Sequence, residues 1–531
     1  MKEKKFPKAL FAVAALFFCN ESKAQLSING ATLYIQAGAT VSVQGNVTSN
    51  TDIQGDGKLL LNGTANQTVD LKGTAVNNLE INNATNATLA SDIKVAKSLT
   101  FTNGKITLGN YNLTLADVAT TSGQGASKFL ETNGTGQVVQ QLTSIVTKKE
   151  VPVGSGTIYR PAFVTTSAVN TNASVGIRNL ATLDPNSPPH ISDYVTAYWP
   201  VTKTNVTGTL TVTGQYDASD VTGTLGNLKG YYYNGTDWSS ATTTINTGTK
   251  QITAPVATAS GEITGMDGFV LLKAKAFLQG AYNTVSGVMT NTLRTLPSFP
   301  LSDPYRTAPY NTSFTHTANT GVETISSTVL ATQSNVNDNI VDWIFLELRN
   351  TATSGNAVLQ TRSALLQSDG DIVDIDGVSP VTFNNVPAGN YVVAVRHRNH
   401  LGLSINPATT SKALSETKST ATPLDFSSSA SNLLGTAGTN YLTVSGVAIL
   451  YAGNANGNTG VKYSGPSNDP AYILSTVLGG NASSSVSSYN VGDVNLNGSV
   501  RYSGPSNDAS YILSTVLSSN ASSSKTQVLP N

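Results

Sequence analysis

Between residues 27 and about 135, apolar and polar positions alternate in short runs. Examples are Ala31-Thr-Leu-Tyr-Ile-Gln36, Thr40-Val-Ser-Val-Gln44, Lys58-Leu-Leu-Leu-Asn62, Asn78-Leu-Glu-Ile-Asn82, Lys105-Ile-Thr-Leu108 and Asn112-Leu-Thr-Leu115. A period of two means strands with one buried face. The strands within them are only three to five residues long, and Asn and Gly punctuate the stretch, as repeated tight corners require. Strands this short predict a β-solenoid, in which each rung buries its inner face only against the next rung. From 136 to 272 the pattern lengthens and aromatics enter: Tyr194, Tyr198, Trp199, Tyr216, Tyr231-Tyr-Tyr233 and Trp238, with Asn234-Gly235 as a hairpin turn. This stretch reads as an antiparallel β-sandwich. Residues 276–410 read as a second sandwich. Its segment Val341-Asp-Trp-Ile-Phe-Leu-Glu-Leu348 is apolar on both faces, as a central strand should be. Residues 411–440, rich in Ser, Thr and Ala, read as a linker, and 442–450 as a strand leading into the C-terminal segment.

That segment, 441–520, holds a tandem repeat. Asn454-Ala-Asn456-Gly-Asn458-Thr-Gly460 returns as Asp493-Val-Asn495-Leu-Asn497-Gly498-Ser499. Both copies run on through Tyr-Ser-Gly-Pro-Ser-Asn-Asp, ending at Asp469 and Asp508, into a Tyr-Ile-Leu-Ser-Thr-Val-Leu helix. The offset is 39 residues throughout, so one supersecondary unit is used twice. Oxygen-bearing side chains stand at loop positions 1, 3 and 5. Gly498 occupies position 6 of the second copy, where a Ca²⁺ loop turns sharply, and Ser499 offers its backbone carbonyl at position 7. Asp508 is the candidate closing ligand. The first copy supplies Asn454, Asn456, Asn458 and Asp469, with Thr459 at the turn position, and is expected to bind Ca²⁺ more weakly or not at all. The alternative for either copy is a polar turn in which Asp469 and Asp508 cap the helices, with Pro470 as the first helical residue of the first copy.

The repeat resembles a dockerin, the duplicated Ca²⁺-binding module of EF-hand-type loops. Phe383-Asn-Asn-Val-Pro387-Ala-Gly389-Asn-Tyr391-Val-Val-Ala-Val395 resembles a hairpin of transthyretin-like sandwiches, in which the module is structural. The whole order of segments is similar to secreted Bacteroidetes proteins described as adhesin- or hemagglutinin-like. This resemblance implies a structural or adhesive role outside the cell, or a part in polysaccharide capture or breakdown that docks through the repeat.

Composition narrows the field. Lys plus Arg equal Asp plus Glu at 31 each, so net charge is zero and nothing favours nucleic acid. The first residues are basic, an apolar run follows from Ala9 to Cys19, and Ser22-Lys-Ala24 precedes Gln25. Residues 1–24 thus read as a signal peptide cleaved before Gln25, in a secreted or cell-surface protein. The apolar run is too short to cross a bilayer, and no later stretch approaches that length. Cys19 is the single cysteine, so the mature chain is expected to form no disulfide and to rely on packing, ladders and Ca²⁺.

No catalytic constellation is legible, and the expectation is a non-enzyme. The four histidines are His190, His316, His397 and His400. His397 and His400, three apart on a strand, are expected on opposite faces as solvated imidazoles, a poor metal pair. A lyase-like solenoid would need paired acids, and Asp52, Asp56, Asp70, Glu80 and Asp92 are scattered. Asp369, Asp371, Asp374 and Asp376 could hold Ca²⁺ but fit two Asp-Gly turns better. Tyr231 to Trp238 could form a sugar platform but fits cross-strand pairing better. Outside partners that fit are a glycan or another surface protein.

Overall fold

The computed structural model describes residues 24–240, 242–319 and 321–531. The expected signal peptide, Cys19 included, lies outside them except for Ala24. The chain is mostly β, 40% strand against 9% helix, with a β-solenoid of about six turns and a half-barrel sheet. The described residues divide into two compact units, one of those up to 181 with 199–210 and one of those in 182–198 with 211–531. The stretch 136–272, expected to be one sandwich, is therefore shared between them.

In the first unit the short strands stack in parallel and in register. Val47 pairs with Val69 and Val69 with Leu89 along one wall, and Val43 with Leu61, Leu61 with Ile81 and Ile81 with Phe101 along another. All of these side chains are buried, and each contributes about 1.5–3 kcal/mol by leaving water. Asparagines tie the corners: Asn50 bonds Asn29 at 2.7 Å, and Asn78 donates to the Gly57 carbonyl at 3.0 Å. The coil does not stop near 135. Val138–Leu142 adds in parallel to Leu113–Leu115, and Val153–Ser155 to Leu130–Glu131. Val138-Val-Gln-Gln-Leu142 keeps the same in–out alternation as the earlier rungs, and burial periodicity rather than aromatic content decides membership. Parallel stacking ends where Ala173–Ile177 pairs with Val138–Leu142 in antiparallel sense.

The second unit is organised around Ile340–Arg349, buried at every position, as expected for 341–348. Val358–Gln367 flanks it on one side and Gly389–His397 on the other, both antiparallel. Phe383 and Tyr391 are both buried, but the two strands that carry them do not pair as the hairpin of the resemblance. Val381–Asn384 pairs with Phe269–Leu272, while Gly389–His397 pairs with Ile340–Arg349 and His400–Ser404. The Val-Pro-x-Gly turn therefore carries the chain from one sheet to another. Residues 411–440 are not a linker. Lys412–Leu414 pairs with Gly389–Tyr391, Leu424–Asp425 pairs in parallel with Ala274–Lys275, and Phe426 is fully buried. Leu414, Leu424 and Phe426 supply the apolar anchors that polar-rich composition hid. The strand expected over 442–450 is a hairpin, Leu442–Val444 against Val447–Ile449.

The two repeats close the second unit as a symmetric pair. Gly460–Lys462 of the first loop pairs with Ser524–Thr526 behind the second helix. Val500–Arg501 of the second loop pairs with Ser485–Val486 behind the first. Ser464 bonds the Ala521 carbonyl and Ser503 the Ala482 carbonyl, each at 2.7 Å. Each copy thus supplies the strand partner of the other. The helices are brief. Asp469–Tyr472 and Asp508–Tyr511 widen to an i to i+5 pattern over Ile473–Val477 and Ile512–Val516. Ile473 and Ile512 are buried between them.

Candidate functional site

In the second loop the two carboxylates have different tasks. Asp493 Oδ1 accepts the Asn497 amide at 3.0 Å and Oδ2 the Gly498 amide at 2.9 Å. This folds the loop around its first residue. Gly498 lies at φ +88°, the left-handed turn that position 6 needs and that a Cβ disfavours. Asp508 accepts the Val494 amide at 2.9 Å and the Arg501 amide at 2.8 Å, closing the loop from its far end. Asn495 and Asn497 both reach the Ser506 carbonyl, and the Asn497 side chain accepts the Ser499 amide. The Ser499 hydroxyl is buried with no partner among the described residues.

The first loop repeats half of this. Asp469 accepts the Lys462 amide at 2.9 Å, the counterpart of the Asp508–Arg501 bond, and Asn456 reaches the Ser467 carbonyl at 2.8 Å. Asn458 accepts the Gly460 amide at 2.7 Å. At position 1, however, Asn454 donates its amide to the Asn458 carbonyl, and its Oδ1 is left buried without a partner. A neutral amide has one acceptor oxygen where a carboxylate has two.

Asp469 and Asp508 are not the helix caps. Asn468 and Asn507 cap, accepting the Ala471 and Ser510 amides at 2.8 and 2.7 Å. That releases the following aspartates to turn inward. Asp469, Asp493 and Asp508 are all fully buried. Burial pushes Asp469 up to about 7 against the backbone amides that hold it. It pushes Asp493 up to about 6 against the pull of Arg398. It pushes Asp508 up to about 7, with the nearby Asp493 adding to the rise. Carboxylates buried beside one another with little countercharge are costly unless a cation compensates them. No group of three or more His, Cys, Asp or Glu side chains suited to a metal occurs among the described residues. A Ca²⁺ donor set here would therefore be two carboxylates completed by amide and carbonyl oxygens, a composition Ca²⁺ accepts. The unpartnered Ser499 hydroxyl lies in that loop, whereas the unpartnered Asn454 Oδ1 belongs to the first loop.

The loops are seated by a segment that the sequence marked only as histidine-rich. Asn399 donates to the Val491 and Asp493 carbonyls at 3.0 and 2.7 Å. Its own carbonyl accepts the Gly453 and Asn454 amides, so one residue holds the starts of both loops. Arg398 is buried, donates to the Asn490 carbonyl and to Asp342, and lies 4.3 Å over the Tyr489 ring. The Tyr489 hydroxyl in turn donates to Asp342 at 2.7 Å. Burial raises Asp342, but Arg398 and His397 outweigh it and hold the carboxyl below its usual range.

His397 and His400 are not solvated and do not point apart. They are cross-strand partners at a bulged turn, both buried, with Nδ1 atoms 3.1 Å apart. His400 Nε2 accepts the Gly280 amide and His397 Nε2 faces Asp342 at 3.0 Å. Burial lowers both imidazoles below their ordinary value, and this bonding suits the neutral rings.

The remaining candidates are structural. Asp376 accepts the Val378 and Ser379 amides, and Asp374 accepts Thr382 and faces His190, as turns require. Tyr233 pairs with Trp238 across strands at 4.9 Å, and Tyr231 packs on Phe269, so the aromatic run is core. In the solenoid Asp56, Asp70 and Glu80 pair with Lys97, Lys72 and Lys58. Asp52 and Asp92 accept backbone amides of the next rung.

No family model, curated protein or solved structure matches this chain. No helix among the described residues is long and apolar enough to cross a membrane.

Proposed function

We propose that this is a secreted or cell-surface protein of structural or adhesive role, without enzymatic activity. Its dockerin-like C-terminal repeat binds Ca²⁺ in the second loop and so locks the end of the chain onto the body. The observation that supports it is the pair Asp493 and Asp508, buried at opposite ends of one loop, with burial raising both and Asp493 raising Asp508 further. In this reading export follows from the signal-peptide pattern. The rival, docking of the repeat to a partner module during polysaccharide capture, needs an exposed apolar helix face. Among large hydrophobic residues of 441–531 only Val528 is exposed, and Tyr511 donates to the Gln279 carbonyl at 2.9 Å. Both observations favour a cap.

Calorimetric titration of the mature chain with Ca²⁺ tests this. We expect one site in the range of extracellular modules, about 10⁻⁴–10⁻³ M, lost in Asp493→Ala and Asp508→Ala and kept in Asp469→Ala. Absence of Ca²⁺ heat at millimolar metal, or unchanged binding by Asp493→Ala, sinks the proposal.

A further inference from the structure

A second feature of the 211–531 unit, with His190 and Ser192, is a cavity of about 720 Å³ away from the repeats. Its size falls within the ~300–1,000 Å³ of small-molecule sites. Gln360 and Arg362 stand on its wall two residues apart on Val358–Gln367, hence on one face of that strand. Asn384 ends Val381–Asn384, Asn385 follows it, Asn350 follows Ile340–Arg349, and Tyr391 comes from Gly389–His397. The lining is thus rich in side-chain amides from several elements, and it contains no Asp or Glu.

Three of these residues keep buried polar atoms without hydrogen-bond partners among the described residues: Gln360 Oε1, Asn384 Oδ1, and Arg362 Nε and Nη2. Gln360 and Arg362 are themselves 6% and 3% exposed. Their other bonds are made. Gln360 Nε2 donates to the Ala318 carbonyl, and Asn384 Nδ2 donates to the His190 carbonyl. Unpaired buried donors and acceptors at one cavity call for something that supplies both. The charge of Arg362 is already answered, because Glu323 lies 3.6 Å and Asp374 3.9 Å away. Those separations compensate the charge but are too long for hydrogen bonds. The guanidinium therefore acts as a hydrogen-bond donor rather than as a free cation. The Tyr391 hydroxyl is spent on the Pro387 carbonyl, leaving its ring as apolar wall.

We propose that this cavity binds an uncharged saccharide. Sugar hydroxyls both donate and accept, as the amide-rich wall does. An acidic sugar would place a carboxylate near Glu323 and Asp374 against a cation they already neutralise. The inference rests on the adhesive reading above, whose contact chemistry it names, and is independent of the Ca²⁺ loops.

The test is saturation-transfer NMR on the mature chain with cellobiose, maltose, lactose, mannobiose and N,N′-diacetylchitobiose, with digalacturonate as the acidic probe. Each probe is measured with Ca²⁺ and with chelator. At least one neutral disaccharide is expected to bind, and digalacturonate is expected not to. Gln360→Leu should weaken the neutral sugar about tenfold, the loss of one hydrogen-bonding partner. Val322 sits at the cavity with 57% of its surface exposed, so Val322→Trp can block it without disturbing the core and should abolish binding. No binding of any neutral probe in either condition, binding unaffected by Val322→Trp, or tighter binding of digalacturonate would each overturn the inference. Sugar binding that persists where calorimetry finds no Ca²⁺ heat would overturn the metal proposal alone.

Discussion

The Asn399 side chain donates to the backbone carbonyl of Asp493 at 2.7 Å, across 94 residues of chain. Asn399 is completely buried, and Asp493 begins the loop proposed to hold Ca²⁺. The loop is therefore anchored to the body at the first position of the proposed metal site, so that site and the seating of the repeat share one residue.

Replacing Asn399 by Leu keeps the branching at Cγ and removes the bonds to the Val491 and Asp493 carbonyls together with the one to His400. The Val491 and Asp493 carbonyls are then buried without donors, at a cost of about 1–3 kcal/mol each. Urea denaturation should show reduced stability, and calorimetry a weaker Ca²⁺ site. A variant as stable as the parent with unchanged Ca²⁺ binding contradicts the anchoring role.

The loop carboxylates make the metal-free protein sensitive to pH. Asp469 and Asp508 are raised to about 7 and Asp493 to about 6 by burial, against about 3.9 in an unfolded chain. Between those values the folded state holds more protons than the unfolded state. Their contribution is thus fully present below about pH 4 and is lost as pH rises through 6 to 7. In chelator, thermal melting should fall over this window. Ca²⁺ in the second loop would replace the protons of Asp493 and Asp508, leave that of Asp469 untouched, and so should restore part of the melting temperature at pH 7. A chelated protein whose melting rises between pH 4 and 7 would refute this.

Asp342 and Arg398 form an ion pair at 2.9 Å with neither side chain exposed. Asp342→Ala leaves the guanidinium buried with Tyr489 but without its counterion, which costs about 3–5 kcal/mol. The double substitution Asp342→Leu, Arg398→Met should recover part of that loss. Equal stability of Asp342→Ala and the parent in denaturant would show the pair to be dispensable.

In the solenoid, Gly104 sits at φ +83°, and a Cβ there would lie 1.8 Å from the Asn83 carbonyl oxygen. The φ alone costs an alanine about 1–3 kcal/mol, and the clash adds to it by pushing adjacent rungs apart. Gly104→Ala should lower the melting temperature well beyond Gly73→Ala, a glycine with open space around its Cβ position. Equal effects at the two sites would argue against close stacking at this corner.

Much of the architecture is legible in the pattern of burial. The alternation in Val43, Leu61 and Val69 reports a stacked inner wall, and the unbroken apolar run at 341–348 reports a central strand. The 39-residue offset places matching bonds in both repeats, such as Asp469 to Lys462 and Asp508 to Arg501. The correspondence of loop positions was legible because the two copies align residue for residue; Ca²⁺ binding there is the proposal made above. Asn399 and Arg398 were not legible, since nothing local distinguishes a buried clasp from a polar strand end.

Patterning along the chain settles which residues share a face, where the chain turns and which positions correspond in the two repeats. Local sterics and period-two burial act over a few residues, so a linear reading captures them. Only the tertiary structure decided that 411–440 joins the sheets, that the solenoid runs on past 136 and that His397 meets His400 inside a buried turn. It also decided that Asn468 and Asn507 cap the helices while Asp469 and Asp508 face inward. Those outcomes depend on partners tens of residues to more than ninety residues away, such as Asn399 with Asp493. They are chosen by packing and by the need to satisfy every buried polar group at once, a condition that no short window of sequence contains.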